Sequence, residues 1–297
     1  METFPDIPLE AWRPTKNTLH LYCQIVGKIR LAMHPRMNHW WHVPLYVTPA
    51  GLSTRTIPYD GGNFEIEFDF HRHELVIKTS SGKNEDFALF DGLSVADFYS
   101  SLFSNLAKLG IEPNIRPIPY EAPSTTPFPE DTENKSYDKE YVERFHRTLV
   151  TVDHILNEFR GRFCGKSTPV HMFWHSFDLA LTRFSGKRVT PREGVGMVER
   201  EAYSHEVISF GFWFGDDKVP APAFYAYAAP EPAGLADEPL SPPAAKWAES
   251  NGAHLALLMY EDVRTRADPR EMVLEFLESA YHAGAKRAGW DLNNFRS

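Results

Sequence analysis

Two short runs of the chain echo each other, and this repetition restricts the folds open to it more than any other feature. His39-Trp40-Trp41-His42 in the first half is answered by His171-Met172-Phe173-Trp174-His175-Ser176-Phe177-Asp178 in the second. The surroundings repeat as well. Thr18-Leu19 stands 23 positions before Trp41-His42, and Thr148-Leu149 stands 26 positions before Trp174-His175. A chain built this way reads as two copies of one α+β unit.

The local patterns are consistent with that reading. Leu19, Tyr22, Cys23, Val26, Ile29 and Met33 recur at helical spacing, predicting a helix over 18–33. Residues 38–48, rich in Trp, Val and Tyr, read as a strand broken by Pro49-Ala50-Gly51. Strict alternation over Phe64–Phe70 predicts a half-buried strand, with Glu65, Glu67 and Asp69 on its solvated face. The tight connection His71-Arg72-His73-Glu74 then leads into a strand at 75–79. A short strand at 87–90 is an optional addition. Ser94 begins a capping-box-like run that opens a helix with Val95, Phe98, Leu102, Leu106 and Leu109 inward, and Gly110 suits its end. The first unit, 1–111, is therefore α-β-β-β-α.

Six prolines between Glu112 and Pro129 mark a semi-extended linker over 112–137. The second unit, 138–297, opens with a helix whose stripe is Tyr141, Phe145, Leu149, Val152, Leu156, Phe159 and Phe163. Strands follow at 177–184, 207–214 and 223–228. Asp268-Pro269-Arg270-Glu271 starts the last helix: an N-cap acid, Pro in the first turn and Glu three residues on. A Pro/Ala-rich stretch at about 219–245 reads as a surface insertion. The expected fold is thus α+β, two tandem α-β-β-β-α repeats with antiparallel sheets backed by helices and related by a pseudo-two-fold.

Composition narrows the function by exclusion. A net charge of −9 argues against nucleic acid, which asks for a basic stripe, and against an anionic membrane surface. No run of about 18 apolar residues is present to span a bilayer. The first residues carry neither the basic nor the apolar region of a signal peptide, and two cysteines do not make a disulfide framework. A reducing cytoplasm is the expected compartment.

Known catalytic patterns are missing too. His205-Glu206 begins like a zinc-protease motif but lacks the second histidine four residues on. Ser176 and Ser209 lack the flanking glycines of a nucleophile elbow, and Cys23 reads as a core thiol. Asp60-Gly61-Gly62-Asn63 is a turn, not a phosphate cradle. For metal, His39 and His42 would point to opposite faces of a strand, and His171 and His175 would stand roughly 13 Å apart. Only His71 and His73 share a face closely, at a hairpin tip where exposed histidines are commonly inert. No metal site is assigned, and no cofactor or oligomeric state is legible.

What remains is a polar and aromatic set: Asn38, His39, Trp41, His42, His171, Trp174, His175, Asp178, Arg183, Trp213 and Tyr225. Charge inside strands that otherwise read as core demands a partner. In one account Asp178 and Arg183 pair with each other or across the repeats. In the other these residues line a small-molecule pocket between the repeats, with His as proton donor or acceptor, Arg fixing a carboxylate, and Trp and Tyr as walls. Catalysis there is left open. The rival is a non-catalytic interaction module whose aromatics are core and whose 219–245 stretch meets a partner.

Asn38-His39-Trp40-Trp41-His42-Val43-Pro44-Leu45-Tyr46, the run His175–Gly186 and Tyr225-Ala226-Tyr227 resemble the motifs of a bacterial family of similar length known as a domain of unknown function. Gln24–Lys28 and Gly211-Phe212-Trp213 extend the likeness over nearly the whole chain, with His175 standing where the family pattern has Gly. The resemblance implies a single-chain cytoplasmic protein and brings no activity, substrate or cofactor.

Overall fold

The computed structural model describes residues 3–122, 124–191, 193–250 and 252–292. Helix α1 (Leu9–Met33) opens the chain. It begins nine residues before the expected start at Thr18 and runs through Pro14. Every residue from Thr18 to Gly27 is buried, so this helix is enclosed on all sides, not packed by one stripe. Tyr22 shows what surrounds it: the ring stacks on Phe98 at 4.0 Å and the hydroxyl donates to the Leu93 carbonyl at 2.5 Å.

Strands β1 (Tyr46–Val47), β2 (Gly51–Ser53), β3 (Ile57–Tyr59), β4 (Gly62–Asp69), β5 (Glu74–Thr79) and β6 (Asn84–Ala88) follow, then helix α2 (Val95–Lys108). They form an antiparallel sheet in the order β1-β2-β4-β5-β6, with β3 added to β4. The expected alternation holds in β4: Phe64, Ile66 and Phe68 are buried, while Glu67 faces outward to Lys78 and Thr48. Ser94 caps α2 by accepting the Asp97 amide at 3.0 Å.

The second half has helix α3 (Lys139–Gly161), strands β7 (His171–Phe173) and β8 (Asp178–Arg188), a short helix α4 (Met197–Ala202), strands β9 (His205–Trp213), β10 (Ala223–Ala229), β11 (Lys246–Ser250) and β12 (Ala253–Met259), and helices α5 (Tyr260–Arg264) and α6 (Pro269–Arg287). Its antiparallel sheet runs β11-β12-β10-β9-β8-β7. The α+β class with antiparallel sheets backed by helices is thus observed, with six strands in each sheet where three per unit were expected. The run 38–48 is mostly not strand. Asn38–Trp40 is a 3₁₀ turn and only Tyr46–Val47 pairs. The expected surface insertion contains β10, a central strand, followed by a turn that buries Leu235.

The halves meet along their first strands. Leu45 and Met172 exchange both backbone hydrogen bonds, at 2.9 and 2.8 Å. Three residues beyond each, a histidine from the opposite half approaches a carbonyl: His20 Nε2 lies 3.0 Å from the His175 oxygen and His146 Nε2 lies 3.1 Å from the Thr48 oxygen. A carbonyl only accepts, so both rings donate from Nε2. Phe145 of α3 stacks on Phe177 at 5.3 Å and meets Phe70 at 5.8 Å, which makes the core continuous across the junction. The proline-rich stretch is fastened to this body. Gln24 bonds both backbone groups of Tyr120, and Phe128 is fully buried.

Register divides the second sheet into two faces. Leu179, Leu181 and Arg183 of β8, with Ile208, Phe210 and Phe212 of β9, turn toward α3 and α6. Asp178, Ala180, Thr182 and Phe184, with Ser209, Gly211 and Trp213, turn the other way, joined by Tyr225 and Tyr227 of β10. That second face carries the candidate site.

Candidate functional site

The site is anchored on a strained turn. His39 and Trp40 both adopt left-handed backbone angles, φ 56° and 60°, which bulky residues rarely take. Helix α4 holds them there. Trp40 Nε1 donates to the Val198 carbonyl at 3.1 Å, and His39 Nδ1 lies 3.2 Å from the Glu201 carbonyl. Because that carbonyl accepts, Nδ1 carries the proton and Nε2 presents a lone pair. Lys166 Nζ stands 3.4 Å from this Nε2 as its donor.

Lys166 also lies 5.2 Å from the Trp41 ring and 5.1 Å from the Phe184 ring. His205 completes the group, with its ring 5.4 Å from that of His39 and with Arg188 opposite it across the strand pair. Burial and then the charge of Lys166 hold His39 below its ordinary pKa, and burial, Lys166 and Arg188 do the same to His205. Both imidazoles are thus kept neutral beside fixed positive charge. Among the described residues, no ion pair engages Lys166 or Arg188. The nearby acid, Glu206, is occupied by Ser185 at 2.9 Å, Trp290 Nε1 at 3.1 Å and Lys187 at 3.7 Å.

Along the same face, small residues lead from this basic end to an acidic one. Tyr225 lies across Gly211, where any Cβ would collide with its ring, and thereby reaches Asp178 two strands away. The Asp178 carboxylate accepts from the Tyr225 and Ser176 hydroxyls, one oxygen each. Burial, then the Asp178 charge, push the Tyr225 phenol well above its usual range, so it remains the donor. Trp213 sits opposite Asp178 with its indole N–H buried and unpartnered. Between the two ends, Tyr203 and Tyr227 hydroxyls lie 3.1 Å apart and Thr182 meets Ser209 at 2.8 Å. The face therefore offers aromatic walls, hydroxyls, one buried carboxylate and a basic cluster.

The structure brings His39 and Trp41 together in the basic cluster, with Asn38 exposed at the start of their turn. It brings Asp178, Trp213 and Tyr225 together at the other end. The remaining sequence candidates lie elsewhere. His42 accepts the Met37 amide at 3.1 Å and stacks against Trp40. Trp174 is buried on Gly27, and its Nε1 donates to the Val43 carbonyl at 3.1 Å. His175 faces Glu121 at 3.7 Å and the Tyr120 ring. His171 is buried beside Tyr46.

Arg183 is on the opposite face from Asp178 and does not pair with it. Its guanidinium is caged by Phe159, Phe163, Phe210 and Tyr281, and it donates to the Phe159 carbonyl at the end of α3. A cation at a helix C-terminus is favourably placed, which gives this buried charge a structural reason. His42, Trp174 and Arg183 consequently share no cavity. His71 and His73 diverge: His71 turns to Pro49 and His146, whereas His73 is buried against Tyr137 and Glu143. Of the two histidines expected at an exposed tip, His71 is exposed and His73 is buried. Among the described residues, no three His, Cys, Asp or Glu side chains gather as metal ligands would.

A separate cavity of about 210 Å³ opens beside the start of β9, lined by Val207, Ala229, Pro230, Pro232 and Trp290 among others and by none of the sequence candidates. Lys166, Arg188, Tyr203 and the cluster role of His205 escape sequence reasoning. Lys166 lies in an irregular connection and His205 bears no motif, so only the fold assembles them.

Fold and site together define an α+β protein with a basic, aromatic-lined surface on one sheet. The chain belongs to the family of unknown function DUF5996, whose model matches residues 4–297. No curated protein and no solved structure matches it. No helix among the described residues is long and apolar enough to cross a membrane.

Proposed function

We propose that the protein binds a small anionic metabolite at the basic end of the second sheet's outer face, with a carboxylate or phosphate group at Lys166 and Arg188, beside the neutral His39 and His205. One observation carries this reading: in a chain of net charge −9, Lys166 and His39 meet at Trp41 and Phe184 with Arg188 and His205 alongside, and among the described residues no acid pairs with Lys166 or Arg188. Such an arrangement leaves charge-assisted hydrogen bonds available to an incoming oxyanion. Trp41 and the exposed Tyr203 supply flat apolar area for the rest of the ligand. Neutral His39 and His205 are also competent to take a proton from a bound ligand. With two cysteines in 297 residues, the composition suits a reducing cytoplasm.

A thermal-shift screen against carboxylate and phosphate metabolites tests the reading. Anionic compounds are expected to raise Tm in the wild type and to lose that effect in Lys166→Ala. Stabilisation confined to neutral or cationic compounds, or unchanged by Lys166→Ala, would overturn it.

A further inference from the structure

A second basic cluster lies where the halves join, away from the face just described. Arg30, in the last turns of α1, is buried at 3% exposure. It donates through Nη1 to the Thr54 carbonyl, and its Nε has no partner. Arg55 approaches from the first sheet on a left-handed backbone, φ 53°, and lays its guanidinium on the Tyr46 ring at 3.6 Å. The Arg30 guanidinium is 5.5 Å from the same ring. His171 closes the group, its ring 6.2 Å from Tyr46, itself 1% exposed and with Nδ1 unpartnered.

The acids nearby do not neutralise this group. Asp153 feels the charge of Arg55 but is held by Asn157 at 3.0 Å, and burial raises its pKa to about 6. Glu65 takes the Ser53 hydroxyl. Neither forms an ion pair with Arg30 or Arg55. Among the described residues, two guanidiniums thus lie against one aromatic ring with no acid paired to either, beside a buried imidazole nitrogen with no hydrogen-bond partner. Like charges brought together in low dielectric repel, and an oxyanion that accepts from guanidinium N–H groups relieves that repulsion.

We propose that Arg30, Arg55 and His171 form a second anion site at the seam, which takes a compact oxyanion of the inorganic phosphate type and braces the two halves together. Arg55 is exposed and can lift from Tyr46 to admit the ion. Arg30 is fixed by Thr54 and awaits it.

Isothermal titration with inorganic phosphate at constant ionic strength, on the intact protein, tests this. Arg55→Asn is the variant of choice, since Asn tolerates the left-handed backbone and circular dichroism can verify its fold. Wild type is expected to bind phosphate, and Arg55→Asn to weaken it by about tenfold or more, as loss of a charge-assisted hydrogen-bond pair implies. Arg55→Lys should fall between them. In the Lys166→Ala background, where the metabolite face no longer competes for phosphate, Arg55→Asn should still abolish or weaken the binding that remains, which separates the two sites. Absence of phosphate binding in the Lys166→Ala background, or equal binding there with and without Arg55→Asn, would overturn the proposal.

Discussion

Trp174, in the turn between β7 and β8, is seated directly on Gly27 of α1: a Cβ at that glycine would fall inside the indole ring. The ring spans the two halves, since its Nε1 reaches the Val43 carbonyl and Lys28 lies over it at 5.6 Å. Glycine is therefore required at position 27 by close approach, although it sits inside a helix where it costs about 1 kcal/mol relative to Ala.

Gly27→Ala accordingly tests the junction. Helix propensity alone predicts stabilisation, whereas overpacking against a buried indole predicts a net loss of about 1–3 kcal/mol. Urea denaturation decides between them, and a midpoint at or above wild type would mean that Trp174 yields freely.

Acid should loosen the fold through its buried histidines. Burial, then the charge of Lys16, lower His20 to about 3, and burial, then Arg55 and Arg30, lower His171 to about 3. An unfolded histidine titrates near 6.5, so on acidification the unfolded chain takes up these protons first. The stability these residues contribute is complete above about pH 6.5 and is lost as pH falls toward about 3, at about 1.4 kcal/mol per pH unit per histidine. Urea midpoints measured from pH 7.5 downward should fall, and His20→Gln should fall less steeply. A slope unchanged by that substitution would contradict the assignment.

Asp178→Ala removes the acceptor of a phenol that is sealed from water. Leaving the Tyr225 hydroxyl unpaired should cost about 1–3 kcal/mol, whereas Tyr225→Phe, which leaves Asp178 the Ser176 hydroxyl, should cost about 1 kcal/mol. The two variants compared by chemical denaturation check the order. A larger loss in Tyr225→Phe would mean that Asp178 has no second donor.

Arg183→Ala opens a hole among Phe159, Phe163, Phe210 and Tyr281 and strips a cation from the end of α3. A loss of about 2–4 kcal/mol is expected. Because Arg183 lies on the helix side of the sheet, ligand affinity should be unaffected at temperatures where the variant is folded. A selective loss of binding would return Arg183 to the site.

Much of the fold was legible where one local signal decides one local structure. Ser94 and Asp268 cap the helices whose starts they mark, by accepting the amides of Asp97 and Glu271. The alternation of β4 separates its phenylalanines from its acids. Residues 38–48 misled because Trp, Val and Tyr favour strands by composition, while the left-handed backbone at His39 and Trp40 is imposed from outside by α4. Of the site, His39 and Trp41 could be suspected from their run, and Asp178, Trp213 and Tyr225 from polarity inside strands. Their partners could not. Lys166 and His205 reach His39 from positions 127 and 166 residues further along the chain, and Arg183 parts from Asp178 only once strand parity is known.

The central claim is that the Lys166 cluster holds an anion. Isothermal titration of the most stabilising anionic metabolite into wild type, Lys166→Ala and Arg183→Ala tests it most directly. The account predicts one site in wild type, affinity lowered about tenfold or more in Lys166→Ala, and affinity kept in Arg183→Ala. Equal affinity in wild type and Lys166→Ala would contradict it.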